Sequence, residues 1–286
     1  MNNQSKNLLK VNNINKDFLD FNLQNINFNI NRGDIIGLIG ENGAGKSTLI
    51  KTLLNITNSS KGTVYWENKD IKANEISYKQ KIYTIFDTPL LIEFFEYSNI
   101  KTFFKLMYNS FSENVFDYYY NLFELPHNRR ISNFSHGMKV KLNFAIGFSI
   151  NPDIFFLDEA TSGLDPFSRK DILNLLECNV IKNKSAAFLS SHIIGDIERI
   201  CTRIILIKNG AIIFDENKKM IYKKYEILIV DDLTKIDKLK FEVIKFIRTP
   251  YDIKVLVEKR KPSENINNKL SLEDFIHIFI KGDDCF

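Results

Sequence analysis

The sequence predicts an α/β fold, in which a mostly parallel sheet is covered by helices, and two observations lead to it. The first is a strand, a Gly-rich turn and a helix in immediate succession near the start of the chain. The second is a set of three continuous apolar runs, "DIFFLDEA", "SAAFLSS" and "RIILIKNG", with helical stretches between them. Such runs are typical of parallel strands that are buried on both faces.

The N-terminal part supplies the first strand, turn and helix. Short strands are expected at "NFNI" and at "DIIGLIG". After the turn, apolar residues at Leu49, Ile50, Leu53 and Leu54 recur with the period of a helix.

A change of composition after Asp87 indicates a helical insertion. Aromatic and polar residues predominate there, at spacings that suit helices better than strands. We expect one large domain over residues 1–215, with a helical subdomain at about residues 88–150.

The C-terminal residues 216–286 are expected to form a small, separate accessory region. The sequence indicates a strand at "YEILIV", a charged helical segment to about Ile247, and a strand at "DIKVLVE". A polar link, "KRKPSENINNK", and a last helix, "SLEDFIHIFIKG", complete the chain.

Composition limits the classes of protein that fit. The chain has 286 residues with 44% hydrophobic content, enough for a packed core. Its net charge of +4 against 39 basic side chains does not indicate nucleic-acid binding. Three widely spaced cysteines, Cys178, Cys201 and Cys285, fit a reducing compartment. The apolar runs are shorter than the ~20 residues of a membrane span, so a membrane role would need another chain.

One motif predicts a phosphate-binding loop. "GENGAGKST" fits G-x-x-x-x-G-K-[ST] and lies between an apolar strand and a helix, as that motif requires. The glycines allow backbone N–H groups to surround phosphates, Lys46 would neutralise their charge, and Ser47 would ligate Mg²⁺. The alternative is a Gly-rich turn without a ligand. The candidate nucleotide-binding residues are Gly40, Glu41, Asn42, Gly43, Ala44, Gly45, Lys46, Ser47 and Thr48.

A second motif predicts the catalytic carboxylates. In "IFFLDE" a buried strand ends at Asp158, which is placed to hold Mg²⁺, and Glu159 follows as a base for an attacking water. Adjacent carboxylates at a strand end could alternatively cap a helix.

With both motifs in order, the chain resembles the nucleotide-binding subunit of ATP-binding-cassette (ABC) transporters over about residues 8–215. The resemblance implies a P-loop NTPase core with a small antiparallel β subdomain, a helical insertion and a C-terminal α+β appendage. It implies that Phe18 stacks on adenine, that Asp165 belongs to the D-loop "SGLD", and that His192 is the switch histidine near the γ-phosphate. A core phenylalanine and a structural histidine are the alternatives.

The stretch "FSHGM" resembles a divergent form of the family's signature loop. The resemblance implies that Ser135, His136, Gly137 and Met138 face ATP bound by a partner subunit. A serine N-cap is the alternative, and both roles are compatible because a helix N-terminus with spare N–H groups binds anions.

Two departures from the family pattern stand out. Asp87 occupies the position of the usual Q-loop glutamine, where its carboxylate could reach Mg²⁺ but adds a charge. In the signature, His136 and Met138 replace a glycine and a glutamine. This divergence resembles the ATPases of ABC-2-like exporters of bacteriocins and other peptides.

The resemblance implies an ATPase subunit of an exporter that needs ATP, Mg²⁺, an integral membrane permease and a second ATPase subunit, identical or different. It implies a location at the cytoplasmic face of the cell membrane, transport of amphipathic or antimicrobial-type peptides, and no nucleic-acid partner. The alternatives are a regulatory subunit with little turnover and a non-transport ABC ATPase.

Overall fold

A computed structural model describes residues 7–18, 21–87, 93–236, 240–261 and 270–284. Three sheets organise these residues. The helices are α1 (Lys46–Leu53), α2 (Glu75–Lys79), α3 (Tyr97–Met107), α4 (Glu113–Leu122), α5 (His136–Ile150), α6 (Pro166–Asn183), α7 (Ile194–Ile200), α8 (Lys218–Lys224) and α9 (Leu272–Lys281).

The strands alternate with these helices along most of the chain. They are β1 (Asn7–Asp17), β2 (Asn22–Asn31), β3 (Ile35–Ile39), β4 (Lys61–Trp66), β5 (Lys69–Asp70), β6 (Ile82–Phe86), β7 (Ile154–Asp158), β8 (Ala186–Ser190), β9 (Arg203–Lys208), β10 (Ala211–Asn217), β11 (Tyr225–Val230), β12 (Phe241–Arg248), β13 (Ile253–Lys259) and β14 (Asp283–Asp284).

The central sheet has six strands in the order β10-β9-β3-β8-β7-β6. Its neighbours pair in parallel from β9 to β6, and β10 pairs antiparallel with β9. Every residue of β3, β7 and β8 is buried. This burial confirms the interpretation of the continuous apolar runs as interior parallel strands.

Helices and a second sheet cover the central sheet. A buried cluster that includes Leu49 and Leu53 of α1 also contains Ile36 of β3, Val11 of β1 and Phe28 of β2. It therefore joins the central sheet to a four-stranded antiparallel sheet in the order β2-β1-β4-β5. The sequence predicted only the end of β2 here. The long strand β1 was missed because asparagines interrupt its apolar pattern.

The helical insertion consists of α3, α4 and α5, as expected from its composition. Residues 88–92, at its start, lie outside the described part of the chain. Helix α5 is buried along most of its length, from Val140 to Ile150. A helix that is apolar on all sides belongs inside a protein, and α5 packs between α4, α6 and β6.

The C-terminal residues form a four-stranded antiparallel sheet in the order β11-β13-β12-β14, with α9 against it. The strands at "YEILIV" and "DIKVLVE" and the last helix are confirmed. The predicted helix up to Ile247 is wrong, because Phe241–Arg248 forms strand β12. Much of the predicted polar link, residues 262–269, lies outside the described residues.

Helix α9 packs against the central sheet as well as against its own sheet. Phe275 and Ile278 belong to the same buried cluster as Ile204 and Leu206 of the central strand β9. The aromatic ring of Phe275 lies 5.3 Å from that of Phe214 in β10. The C-terminal region therefore shares a hydrophobic core with the larger domain.

Candidate functional site

The carboxyl ends of three neighbouring parallel strands bring predicted site residues to one edge of the central sheet. The phosphate-binding loop (residues 40–48) follows β3, Asp158 ends β7, and His192 follows β8. Because β8 lies between β3 and β7, His192 is placed between the loop and the two carboxylates. Crevices at the carboxyl ends of parallel strands are the usual ligand sites of open α/β sheets.

A cavity of about 700 Å³ opens at this edge. Its lining consists of Phe18, Phe21, Asn42, Gly43, Gly45, Lys46, Ser47, Thr48 and Glu159. Eight of these nine, all except Phe21, were predicted from the sequence. The cavity therefore unites the phosphate-binding loop with the predicted base.

Lys46 begins α1 and lies under the loop. It is only 9% exposed, and its Nζ donates to the carbonyl oxygens of Gly40 at 2.8 Å and of Glu41 at 3.2 Å. The loop thus holds the ammonium group in place beside the first N–H groups of a helix. A cation and a helix N-terminus together favour a phosphate.

Gly45 is the position at which the loop requires glycine. Its φ is +107°, and a Cβ there would lie 2.5 Å from Cζ of Phe21. Both the backbone conformation and the close approach of Phe21 exclude a larger residue. Phe21 therefore packs directly against the phosphate-binding loop.

Asp158 is a buried carboxylate held by one hydroxyl. It is 7% exposed, and its Oδ1 accepts a hydrogen bond of 2.6 Å from Ser190 Oγ, on the neighbouring strand β8. The same hydroxyl accepts from the backbone N–H of Glu159 at 3.2 Å. Ser190 thus orients both carboxylate residues, a role that the sequence analysis did not assign.

Glu159 is bound by His192. Its Oε2 accepts from Nδ1 of His192 at 2.7 Å and from the backbone N–H of His192 at 3.2 Å. Because a carboxylate only accepts, Nδ1 is the protonated ring nitrogen in this contact. Glu159 has φ of +53°, a conformation that non-glycine residues seldom adopt.

Two aromatic residues stand at the mouth of the cavity. Phe18 is 45% exposed, and its ring centroid lies 6.4 Å from that of Phe21. Lys16 Nζ lies 5.2 Å from the centroid of the Phe18 ring. Phe18 is therefore not a core residue, which removes the alternative considered for it. Phe21 was missed, although the pair of phenylalanines in "DFLDF" was a visible signal.

Asp87 is exposed at the end of β6, next to the carboxylates. The residue before it, Phe86, pairs with Asp158 in parallel register. Asp87 is thus near the site but does not line the 700 Å³ cavity among the described residues.

The signature loop (residues 134–138) is elsewhere, at the start of α5. Ser135 is the N-cap of this helix, and its Oγ accepts from the backbone N–H of Met138 at 3.2 Å. His136 Nε2 lies 2.9 Å from the carbonyl oxygen of Ser162, in the D-loop (residues 162–165). In the described part of the chain, no signature residue lines the 700 Å³ cavity.

Asp165 ends the D-loop as the N-cap of α6, followed by Pro166 at the first helical position. Its Oδ1 accepts from the backbone N–H groups of Phe167 and Ser168, both at 3.0 Å. The hydrogen bonds from Ser168 lower the pKa of Asp165 below its usual value. The cap therefore fixes the point at which the D-loop joins α6.

The C-terminal helix α9 reaches the phosphate-binding loop, which the sequence analysis did not predict. Lys281 forms an ion pair with Glu41, and this contact lowers the pKa of the Glu41 carboxyl. Lys208 Nζ donates to the carbonyl oxygen of Ile280 at 2.6 Å. A second cavity of about 690 Å³ lies between α9 on one side and Glu41 and His192 on the other.

Neither a cluster of metal-binding side chains nor a membrane-spanning helix is present among the described residues. Within those ranges, no group of three or more His, Cys, Asp or Glu side chains could hold a metal ion without other ligands. None of the helices there is long and apolar enough to cross a membrane.

Comparison with known proteins agrees with this geometry. A family model described as "ABC transporter" matches residues 23–162. The ATP-binding protein YtrB of Bacillus subtilis (strain 168) is 27% identical over 190 residues, which cover 66% of this chain and 65% of that protein. The bacitracin transport ATP-binding protein BcrA of Bacillus licheniformis is 29% identical, covering 73% of this chain and 70% of BcrA.

Two further matches cover about nine-tenths of the matched protein. The lantibiotic transport ATP-binding protein SrtF of Streptococcus pyogenes is 30% identical, over 73% of this chain and 90% of SrtF. A solved ATP-binding subunit of an ABC transporter superposes with a TM-score of 0.68 and 25% identity, over 75% of this chain and 91% of that one. With the phosphate-binding loop, the two carboxylates and the histidine at one sheet edge, the chain belongs to the ABC transporter family of ATP-binding proteins and is an ATPase.

Proposed function

We propose that this chain is the ATP-hydrolysing subunit of an exporter, working as a dimer against an integral membrane permease. The observation that carries the proposal is the convergence of Lys46, Asp158, Glu159 and His192 at one edge of the central sheet. Binding and hydrolysis of ATP need a phosphate cradle, a metal-holding carboxylate and a group that orients water, and this edge offers all three.

ATP would bind in the 700 Å³ cavity. Phe18 would stack on the adenine ring, since its exposed face stands at the cavity mouth. The phosphates would lie over Gly43, Gly45 and the start of α1, where backbone N–H groups and Lys46 meet their charge. Ser47 and Thr48 would complete the polar lining of this end.

Mg²⁺ fits the donors at this edge. Metal sites of this type use one or two protein oxygens, and nucleotide phosphates and waters complete the coordination. Asp158 offers a buried carboxylate whose Oδ1 is oriented by Ser190, and Ser47 offers a hydroxyl from the cavity wall. Asp87 is a third candidate from the adjacent strand end. When bound, the ion would supply positive charge to the phosphate oxygens.

Glu159 would orient and deprotonate the attacking water. Its carboxylate lines the nucleotide cavity and is held by two hydrogen bonds from His192. The His192 side chain is 63% exposed, so its ring is accessible to a γ-phosphate. Lys46 and His192 together would stabilise the charge that develops on the transferred phosphoryl group.

The signature loop would complete the ATP site of a second subunit. Ser135 uses its hydroxyl to cap α5, and the N-terminal N–H groups of this 15-residue helix can bind an anion. Lys139 in the same turn is paired with Glu93 at 3.1 Å, so the lysine that binds the phosphates would come from another chain. A partner's phosphate-binding loop would supply that lysine. Whether the partner is identical or different, each ATP site of the dimer would then combine the phosphate-binding loop of one chain with the signature loop of the other.

The permease would dock in a groove next to Asp87. This groove has a volume of about 350 Å³ and lies between the core and the helical insertion, lined by Leu54, Ile56, Lys79, Gln80, Ile82, Tyr83, Thr84, Phe86, Met107 and Tyr108. Ile56 and Met107 are more than half exposed, at 57% and 51%. Such an apolar groove is suited to a short amphipathic helix of another chain. Docking there would place the ATPase at the cytoplasmic face of the cell membrane.

Peptides are the proposed cargo, because BcrA and SrtF are named for bacitracin and lantibiotic transport. With the permease in proteoliposomes, such peptides should stimulate ATP hydrolysis several-fold. Met107→Glu, which places a charge in the groove, should remove the stimulation. Stimulation that persists in this variant would refute the groove as the docking site. If no peptide tested stimulates hydrolysis in the wild-type complex, the proposal that peptides are the cargo is wrong.

The Glu159→Gln variant tests the ATPase assignment most simply. Hydrolysis should fall by ~100-fold or more, because the amide cannot accept the proton of the water. The variant should still bind MgATP and form an ATP-dependent dimer in size-exclusion chromatography. Glu75→Gln, a charge removal at an exposed ion pair on α2, serves as the control.

A regulatory subunit that binds ATP with little turnover is the second candidate, and Asp87 in place of the usual glutamine favours it. The wild-type rate separates the two functions. Turnover that Glu159→Gln abolishes supports the ATPase, whereas equally low rates in both proteins would support the regulatory role.

A further inference from the structure

His136 joins two loops that belong to different parts of the fold. Its ring extends from the first turn of α5, and Nε2 lies 2.9 Å from the carbonyl oxygen of Ser162. A carbonyl oxygen only accepts, so the imidazole is the donor. This single bond connects the signature loop with the D-loop across 26 residues of sequence.

The His136 ring occupies the space that a side chain at position 163 would need, so this position requires glycine. Gly163 has φ of +73°, and a Cβ there would lie 2.5 Å from Cδ2 and 2.9 Å from Nε2 of His136. The next pair also lies close together, since a Cβ added to Gly137 would lie 3.6 Å from Cδ2 of Leu164. The two loops therefore pack along consecutive residues.

The D-loop is anchored at its other side to the catalytic segment. The backbone N–H of Ser162 donates to the carbonyl oxygen of Glu159 at 3.0 Å. Arg169 Nη2 donates to the carbonyl oxygen of Leu164 at 2.9 Å. Ser162 is thus held through its N–H by the residue proposed as base, and through its carbonyl by His136.

We propose that His136 is a positioning residue that fixes the signature loop to the D-loop of the same chain. The proposal rests on the proposed function, in which the signature loop serves the partner's ATP. Movement of the segment that carries Glu159 would then be passed through Ser162 and His136 to the other ATP site. His136 itself contacts no reacting atom.

A double-mutant cycle tests the link. His136→Ala removes the ring, and Gly163→Ala adds a methyl group that collides with it. Each change should lower kcat for ATP hydrolysis. In the His136→Ala background, the factor by which Gly163→Ala lowers kcat should be smaller by at least about three-fold, since only the backbone strain remains. If Gly163→Ala lowers kcat by the same factor with and without His136, the proposal is overturned.

Two readouts separate positioning from general structural damage. His136→Gln, with an amide that can donate to Ser162, should recover part of the kcat lost in His136→Ala. The KM for ATP should change much less than kcat in the His136 variants, because the described lining of the nucleotide cavity does not include His136. Equal losses in the Gln and Ala variants, or an effect on KM alone, would contradict the role.

Failure of this inference is distinguishable from failure of the proposed function. If Ser135→Arg damages the partner's site but the cycle shows no coupling, His136 is not the link and the dimer model stands. If the cycle shows coupling but Ser135→Arg damages only its own chain's site, the shared-site model is wrong.

Discussion

The contact between Glu159 and His192 is the residue-level feature on which the proposed chemistry depends. Glu159 adopts a left-handed conformation with φ of +53°, and it is held there by Ser190 and His192. Unfavourable backbone conformations persist only where surrounding contacts enforce them, and they cluster at functional sites. Glu159 is therefore positioned by the protein's own contacts.

His192→Ala should lower kcat by ~100-fold, because the variant loses both the contact that orients Glu159 and a charge-stabilising group. ATP binding should remain within about two-fold of wild type, since the nucleotide cavity is lined without His192. Steady-state ATPase kinetics and nucleotide titration measure the two quantities. His127→Ala, in the helical insertion, is the control, and an unchanged kcat in His192→Ala would refute the assignment.

At the residue scale the sequence predicted which residues meet at the site, but not the side chains that hold them in place. Lys46, Ser47, Asp158 and Glu159 were predicted because a motif fixes their spacing along a strand and a loop. Ser190 and Lys281 were not, because they meet their partners across 32 and 240 residues, respectively, through the sheet order and the fold of α9. Contacts between residues so far apart in the chain leave no local pattern in the amino-acid sequence.

Among the elements, α9 shows how the C-terminal region is joined to the ATPase. It begins at the N-cap Ser271, carries acidic residues in its first turn, and ends at Lys281 on the phosphate-binding loop. These features stabilise the helix, and its buried face joins the central core. The nucleotide site and the C-terminal region are thus in direct contact.

Phe275→Ala should destabilise the whole chain by ~3–5 kcal/mol, because this fully buried ring packs on both β10 and its own sheet. Chemical denaturation should show the loss in the transition that also abolishes nucleotide binding. His277→Ala, exposed on the same helix, should change stability little. A separate early transition that leaves nucleotide binding intact would contradict a shared core.

Prediction succeeded for the strands that are buried throughout and failed for β12, which is buried only in part. β3, β7 and β8 are buried throughout, so their apolar runs are continuous and unambiguous. In β12 most residues are half-buried and charged ones interrupt "FEVIKFIR", which allowed a helical interpretation. The β-branched Val243, Ile244 and Ile247 were the signal for a strand.

At the scale of the whole molecule, the proposed dimer gives each chain a part in two different ATP sites. The phosphate-binding loop and Glu159 line one cavity, whereas the described lining of that cavity contains no residue of the signature loop, which lies at the start of α5. On this account, hydrolysis requires two chains, and the chain alone should turn over ATP only at concentrations at which it dimerises.

A crossover experiment with mixed dimers tests this central claim most directly. In one dimer, a Glu159→Gln chain is paired with a Ser135→Arg chain; in the other, both changes are on one chain and the partner is wild type. The first dimer should be as active as a mixed dimer of one Glu159→Gln chain and one wild-type chain, because both defects fall on one ATP site. The second should be inactive, because each of its two ATP sites carries one defect. The reverse result, an inactive first dimer and an active second one, would show that the signature loop serves its own chain's ATP.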